Sequence, residues 1–129
     1  MFASKIALLI TAVATFQAGL SNAAPISSGN FKGEGTFYAP GLGACEVTSG
    51  PNELIAALNA PQYGNAPRGS DSCFKCASVT GPKGSVKVKI VDKCPGCKHG
   101  DLDLSPAAFN KIANEADGRV SISWTYTSC

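Results

Sequence analysis

Two groups of side chains in this sequence could do chemistry: six cysteines, and aspartates that stand out of pattern in their strands. The cysteines are Cys45, Cys73, Cys76, Cys94, Cys97 and Cys129. Cys73-x2-Cys76 is followed after 17 residues by Cys94-x2-Cys97, the spacing of a four-cysteine zinc site. Zinc would leave Cys45 and Cys129 to bridge each other, whereas six cysteines form three disulfides with none left over. The chain also opens with an export leader, and exported thiols oxidise. Disulfides are therefore expected and no metal or other cofactor. Spacing alone leaves 15 connectivities open.

The aspartates are Asp92, Asp101 and Asp103. In Val86-Lys87-Val88-Lys89-Ile90-Val91-Asp92 the apolar parity Val86, Val88, Ile90 continues onto Asp92. A carboxylate pointing inward must be hydrogen-bonded, paired, or at a mouth open to water. In Asp101-Leu102-Asp103-Leu104 the leucines take the inward parity, so both acids point the other way. Such acids can tie loop N–H groups or the start of the following helix, or they can hold the hydroxyls of a ligand. Lys87 and Lys89 read as a solvated strand face. His99 lies in a Gly-rich loop with no second histidine and reads as surface.

Short strands must position these groups. Gly35 to Ala39 reads as a strand, broken by Pro40-Gly41-Leu42-Gly43. Leu54 to Leu58 is apolar and short, either a helix turn or a buried strand. Gly64 to Ser72 is a polar loop. Lys75 to Thr80 and Ser85 to Val91 flank Gly81-Pro82-Lys83-Gly84 and form a hairpin. Ser105-Pro106 opens one helix over about 105–116, because Ser accepts from orphan N–H groups and Pro lacks the N–H that would be unpaired there. Its apolar face is Phe109, Ile112, Ala113 and Ala116. Val120, Ile122, Trp124 and Tyr126 alternate with Ser121, Ser123, Thr125 and Thr127, a final strand with Trp124 in the core. The whole reads as a mainly β, six-stranded small barrel with one short helix.

The leader is Met1 to about Ala23: Lys5, then the apolar Ile6 to Phe16, then small residues at Ser21 and Ala23. The apolar stretch is too short to span a bilayer, so a secreted, extracellular protein with no membrane association is expected. Residues 24–32 form a flexible lead-in and 33–129 a single domain. A formal charge of +2, one unit of it from Lys5, lacks the basic excess of a nucleic-acid binder. A monomer is expected.

Read together, these segments resemble the double-psi β-barrel domains of expansins, barwin proteins, rare lipoprotein A-type proteins and family 45 endoglucanases. The residues that carry the resemblance are Gly35-Thr36-Phe37-Tyr38, Gly41-Leu42-Gly43-Ala44-Cys45, Val91-Asp92-Lys93-Cys94, Gly100-Asp101-Leu102-Asp103-Leu104-Ser105-Pro106-x-x-Phe109 and Gly118-Arg119-Val120-x-Ile122-x-Trp124. Fungal loosenin-type single-domain proteins and a bacterial papain inhibitor are especially similar. The resemblance to barwin implies the pairs Cys45–Cys73 and Cys76–Cys129. It leaves Cys94–Cys97 as the third, a departure from the barwin pattern.

By the same resemblance Asp103 falls at the general acid position of the inverting endoglucanases, whose second carboxylate activates water. That second position is Pro40 here, and proline cannot take a proton. Inverting hydrolysis is not expected. The implied function is that of an expansin or loosenin: binding cell-wall polysaccharide, cellulose or chitin, and loosening it without cutting. Thr36, Tyr38, Asp92 and Asp103 would line a shallow groove, with Tyr38 and Tyr63 available to stack on sugar rings. A tyrosine that expansins carry two residues after the Asp92 position is Cys94 here. Two alternatives follow from the same barrel. One is inhibition of a papain-like protease through the loops Gly41–Ala44 and Gly64–Ser72. The other is glycan cleavage by Asp103 alone, as in lytic transglycosylases.

Overall fold

The computed structural model describes residues 29–65 and 70–129. The proposed leader and most of the lead-in lie outside the described residues. Six strands, β1 (Phe31–Phe37), β2 (Ile55–Asn59), β3 (Cys76–Gly81), β4 (Gly84–Cys94), β5 (Leu102–Leu104) and β6 (Val120–Thr127), close into a barrel in the order β1-β5-β2-β4-β3-β6. The pairs β1–β5 and β2–β4 are parallel and the other four antiparallel. Two helices complete the fold, α1 (Ala60–Tyr63) and α2 (Pro106–Ile112). No described helix is long and apolar enough to cross a membrane.

The apolar run at 55–59 is a strand because it lies between β4 and β5 with all five residues buried, and a strand covered on both faces needs no alternation. Inside the barrel Ala56, Leu58, Val79, Val88, Ile90, Leu102, Leu104, Ile122 and Trp124 form one cluster with Phe109 and Ile112 of α2. Trp124 is buried and satisfies its indole N–H on the Gly100 carbonyl at 2.8 Å.

Two local expectations are corrected, and one short helix was not anticipated. The first strand starts at Phe31, so Phe31 and Lys32 belong to the barrel rather than to the lead-in. They pair with Trp124 and Ser123 of β6. The Gly/Ser/Asn-rich composition around them hid this. Gly33 is needed within that strand, since a Cβ there would lie 2.4 Å from the Gly100 backbone. The helix opened by Ser105 stops at Ile112 instead of continuing to 116. The Ile112 carbonyl is taken by the Lys83 N–H of the β3–β4 turn at 2.8 Å, and Ala113 is extended. Glu115–Asp117 follow as a 3-10 turn. The short α1, unforeseen, is capped by the Asn59 side chain accepting from the Gln62 N–H at 2.9 Å.

Three disulfides staple the barrel: Cys45–Cys73, Cys76–Cys129 and Cys94–Cys97. All six cysteines are thereby oxidised, leaving no thiolate for the zinc arrangement that the spacing suggested.

Candidate functional site

The site is built by a register shift. On β2 the pairing with β4 runs Ala56↔Ile90 and then Ala57↔Asp92, so Val91 is an extra residue on β4. Ile90 and Val91 are both buried, and the alternation inverts after them. The inward placement expected for Asp92 is therefore wrong: the bulge turns it onto the outer surface, level with Ala57. Ala57 also pairs with Asp103 of β5, and Asp103 pairs with Thr36 of β1. Aligned partners on neighbouring strands share a face. Asp92, Ala57, Asp103 and Thr36 thus form one row across the outer wall of the barrel, with buried, small Ala57 as its floor.

Asp103 is half-buried and accepts from the Thr36 hydroxyl at 2.8 Å. Burial raises its pKa. The Thr36 bond and the Arg119 charge oppose the rise, and the Asp92 charge adds to it. Asp92 has a different task. One of its oxygens accepts from the N–H groups of Ala44 and Lys93, both at 2.8 Å. This ties β4 to the Gly41–Cys45 loop. Gly43 fits beneath only because it lacks a Cβ, which would meet the Val91 carbonyl at 2.4 Å. Tyr38 continues from β1, its N–H bonded to the Leu104 carbonyl at 3.0 Å. Its half-buried hydroxyl hydrogen-bonds Asp92. Burial, the two aspartate charges and that bond raise its pKa, so it stays a neutral phenol. Thr36, Tyr38, Asp92 and Asp103 are brought together. Tyr63 is not: it is buried in the core with 3% exposure, its hydroxyl 3.6 Å from Cys73 Sγ, and offers no stacking surface.

Beside Asp103 the row deepens into a cavity of about 240 Å³ lined by Glu34, Thr36, Cys94, Cys97, Asp101 and Arg119 among others. Arg119 pairs with Glu34 at 2.7 Å, both exposed. Asp101, buried, accepts from the N–H groups of Glu34 and Lys98, each at 2.9 Å, and so fastens the 94–101 loop to β1. The Cys94–Cys97 bridge forms part of one wall. Glu34 and Arg119 were missed as site residues because each looks like an ordinary exposed charge in sequence. Only the pairing of β1 with both β5 and β6 sets them beside Asp103. On the other side of Phe37 an apolar cleft of about 390 Å³ is lined by Tyr38, Pro40, Pro51 and Pro106. No cluster of potential metal ligands occurs among the described residues.

Comparison with known proteins agrees with this architecture. A double-psi β-barrel family described as lytic transglycolase matches residues 55–124. An EG45-like domain containing protein of Citrus jambhiri is 36% identical over 109 residues, covering 75% of this chain and 83% of its own. Expansin-YoaJ of Bacillus subtilis is 50% identical over 46 residues, covering 36% of this chain and 20% of its own. Among solved structures, a mutant Clavibacter michiganensis expansin in complex with cellohexaose superposes with TM-score 0.68 at 30% identity, covering 76% of this chain and 50% of that one. A Streptomyces papain inhibitor superposes with TM-score 0.70 at 29% identity, covering 77% and 94%. The chain thus spans half or less of the two expansins and most of the EG45-like protein and the papain inhibitor.

Proposed function

Because this chain belongs to the double-psi β-barrel, expansin-like family, we propose that it is secreted, binds cell-wall polysaccharide along the Thr36–Asp103–Asp92 row, and loosens the polymer without hydrolysis. The observation that carries the reading is the row itself. It is an open shelf with hydroxyl and carboxylate groups spaced by strand pairing, bounded by the Tyr38 ring. Hydroxyl-bearing sugars match such alternating donors and acceptors. The three disulfides support an oxidising, extracellular setting.

Inverting hydrolysis needs a second carboxylate free to act as base. Pro40 stands where that residue would lie by resemblance. The remaining candidate, Asp92, is already engaged by two backbone N–H groups and the Tyr38 hydroxyl, so it is occupied in holding the loop rather than free to position a water. The test is a pull-down on insoluble cellulose, chitin and peptidoglycan. Retention on at least one polymer, weakened by Asp103→Asn, is expected, with no reducing ends released. Release of reducing ends that Asp103→Asn abolishes would instead make Asp103 the acid of a cleaving enzyme. No retention on any polymer would sink the proposal.

A second reading, inhibition of a papain-like protease, is favoured by one observation. Leu42 is 75% exposed on the segment that bridges to Thr48 just before the 44–46 turn, an apolar side chain available to a protein partner. A papain inhibition assay separates it, with Leu42→Ser lowering inhibition and leaving glycan retention unchanged.

A further inference from the structure

Charge is unevenly distributed around the groove. Four of the nine acidic residues in the chain, Glu34, Asp92, Asp101 and Asp103, lie on or beside it. Among the described residues, the cavity next to Asp103 is lined by three carboxylates and by one cation, Arg119. Arg119 is 2.7 Å from Glu34, so that pair cancels. Nearby Lys93 turns its ammonium over the Tyr63 ring, 5.5 Å from the centroid. Two net negative charges remain in the cavity, with Asp92 a third one strand further on. The excess is local, because the chain as a whole is formally +2.

The carboxylates are also unequally satisfied. Asp101 receives an N–H on each oxygen. Asp103 receives the Thr36 hydroxyl on Oδ1, and among the described residues no donor reaches Oδ2. A half-buried carboxylate with an unfilled oxygen gains most from a donor that also brings positive charge. A neutral sugar hydroxyl brings the donor alone, and an acetamido group adds no charge. A protonated amino group on a pyranose ring brings both.

We infer that the groove selects a glycan bearing free amino groups, a glucosamine polymer such as deacetylated chitin, over neutral or N-acetylated chains. This rests on the polysaccharide-binding reading of the same groove and names its ligand class. Low-dielectric walls focus the field of the cavity acids, so the preference depends on ionic strength.

The test is calorimetric titration with three soluble hexamers: glucosamine, N-acetylglucosamine and cellohexaose. The buffer is mildly acidic, so that the glucosamine amines are charged. At low salt the glucosamine hexamer is expected to bind about tenfold more tightly than the other two, a ratio in the range of a few partly exposed charge contacts. High salt brings the ratio toward one. Asp103→Asn and Glu34→Gln each reduce the ratio, while Lys87→Gln on the exposed face of β4 leaves it unchanged. Equal affinity for all three hexamers, or a preference that Asp103→Asn leaves intact, overturns the inference while the binding function stands. Failure of every hexamer to bind overturns both.

Discussion

Asp103 carries a cost that a purely structural aspartate does not. Its pKa is raised above the ordinary 3.8, chiefly by burial, so folding favours its protonated form. The associated stability is fully present below the unfolded pKa and is lost as pH rises through the folded one. The ionised group therefore works against the fold at neutral pH. Asp103→Asn keeps the Thr36 hydrogen bond and removes the charge, so its melting temperature should exceed that of the wild type near neutrality. The gain should shrink to nothing as pH falls below about 3.8, and thermal melts across the acid range measure it. A variant less stable at neutral pH would contradict this assignment. Replacing Asp92 should lower stability instead. Asp92→Ala strands the partly buried Ala44 and Lys93 N–H groups, which costs less than the roughly 1–3 kcal/mol of a fully buried unpaired donor and is seen as a lower denaturant midpoint. Both residues stood out in sequence as acids in apolar strands. The direction of Asp103 was legible from its flanking leucines, and that of Asp92 was not.

The reason lies at the scale of the element. Alternation predicts a side only while a strand stays regular, and one extra residue at Val91 inverts everything after it. Nothing local in Lys89-Ile90-Val91-Asp92 announces the bulge, which exists because β2 accepts Ile90 and Asp92 as successive partners. The end of α2 was hidden for a similar reason, since the Ile112 carbonyl is claimed by a turn 29 positions earlier in the chain. The cysteine clip, in contrast, is a local element with a local effect. Cys94 and Cys97 are 3 residues apart, against separations of 28 and 53 for the other bridges. In the chain-entropy model the three contribute about 2, 3.5 and 4 kcal/mol respectively. Cys94→Ser with Cys97→Ser should therefore lower stability about half as much as Cys76→Ser with Cys129→Ser, as urea titration of the two double variants would reveal. An equal loss would mean that the clip holds more than its own turn.

For the whole molecule, closure of the barrel makes the site. Thr36, Ala57, Asp92 and Asp103 come from four strands, and Arg119 from the turn before a fifth. Closure leaves no edge for the sheet to fray from. The core beneath must hold those strands in register. Leu58 lies fully buried between β4 and β5, directly beside the row's floor at Ala57. Leu58→Ala should cost about 2–5 kcal/mol by the loss of buried methyl groups and the cavity left behind. It should also weaken glycan retention more than an equally destabilising change at Val79, on the far strand β3. Retention that falls equally in both would tie the loss to stability alone.

By itself the sequence determined what depends on neighbours in the chain: the hairpin, the capped start of the helix, the final strand, and an even set of cysteines suited to oxidation. Through its resemblance to known barrels it also indicated the fold, the disulfide pairing and three members of the row, Thr36, Asp92 and Asp103, while Ala57 emerged only from the strand register. The tertiary structure alone decided that Asp92 faces outward, that Tyr63 is buried, and that Glu34 and Arg119 flank Asp103. Each of these depends on strand pairing between residues distant in sequence, which local pattern and propensity do not encode.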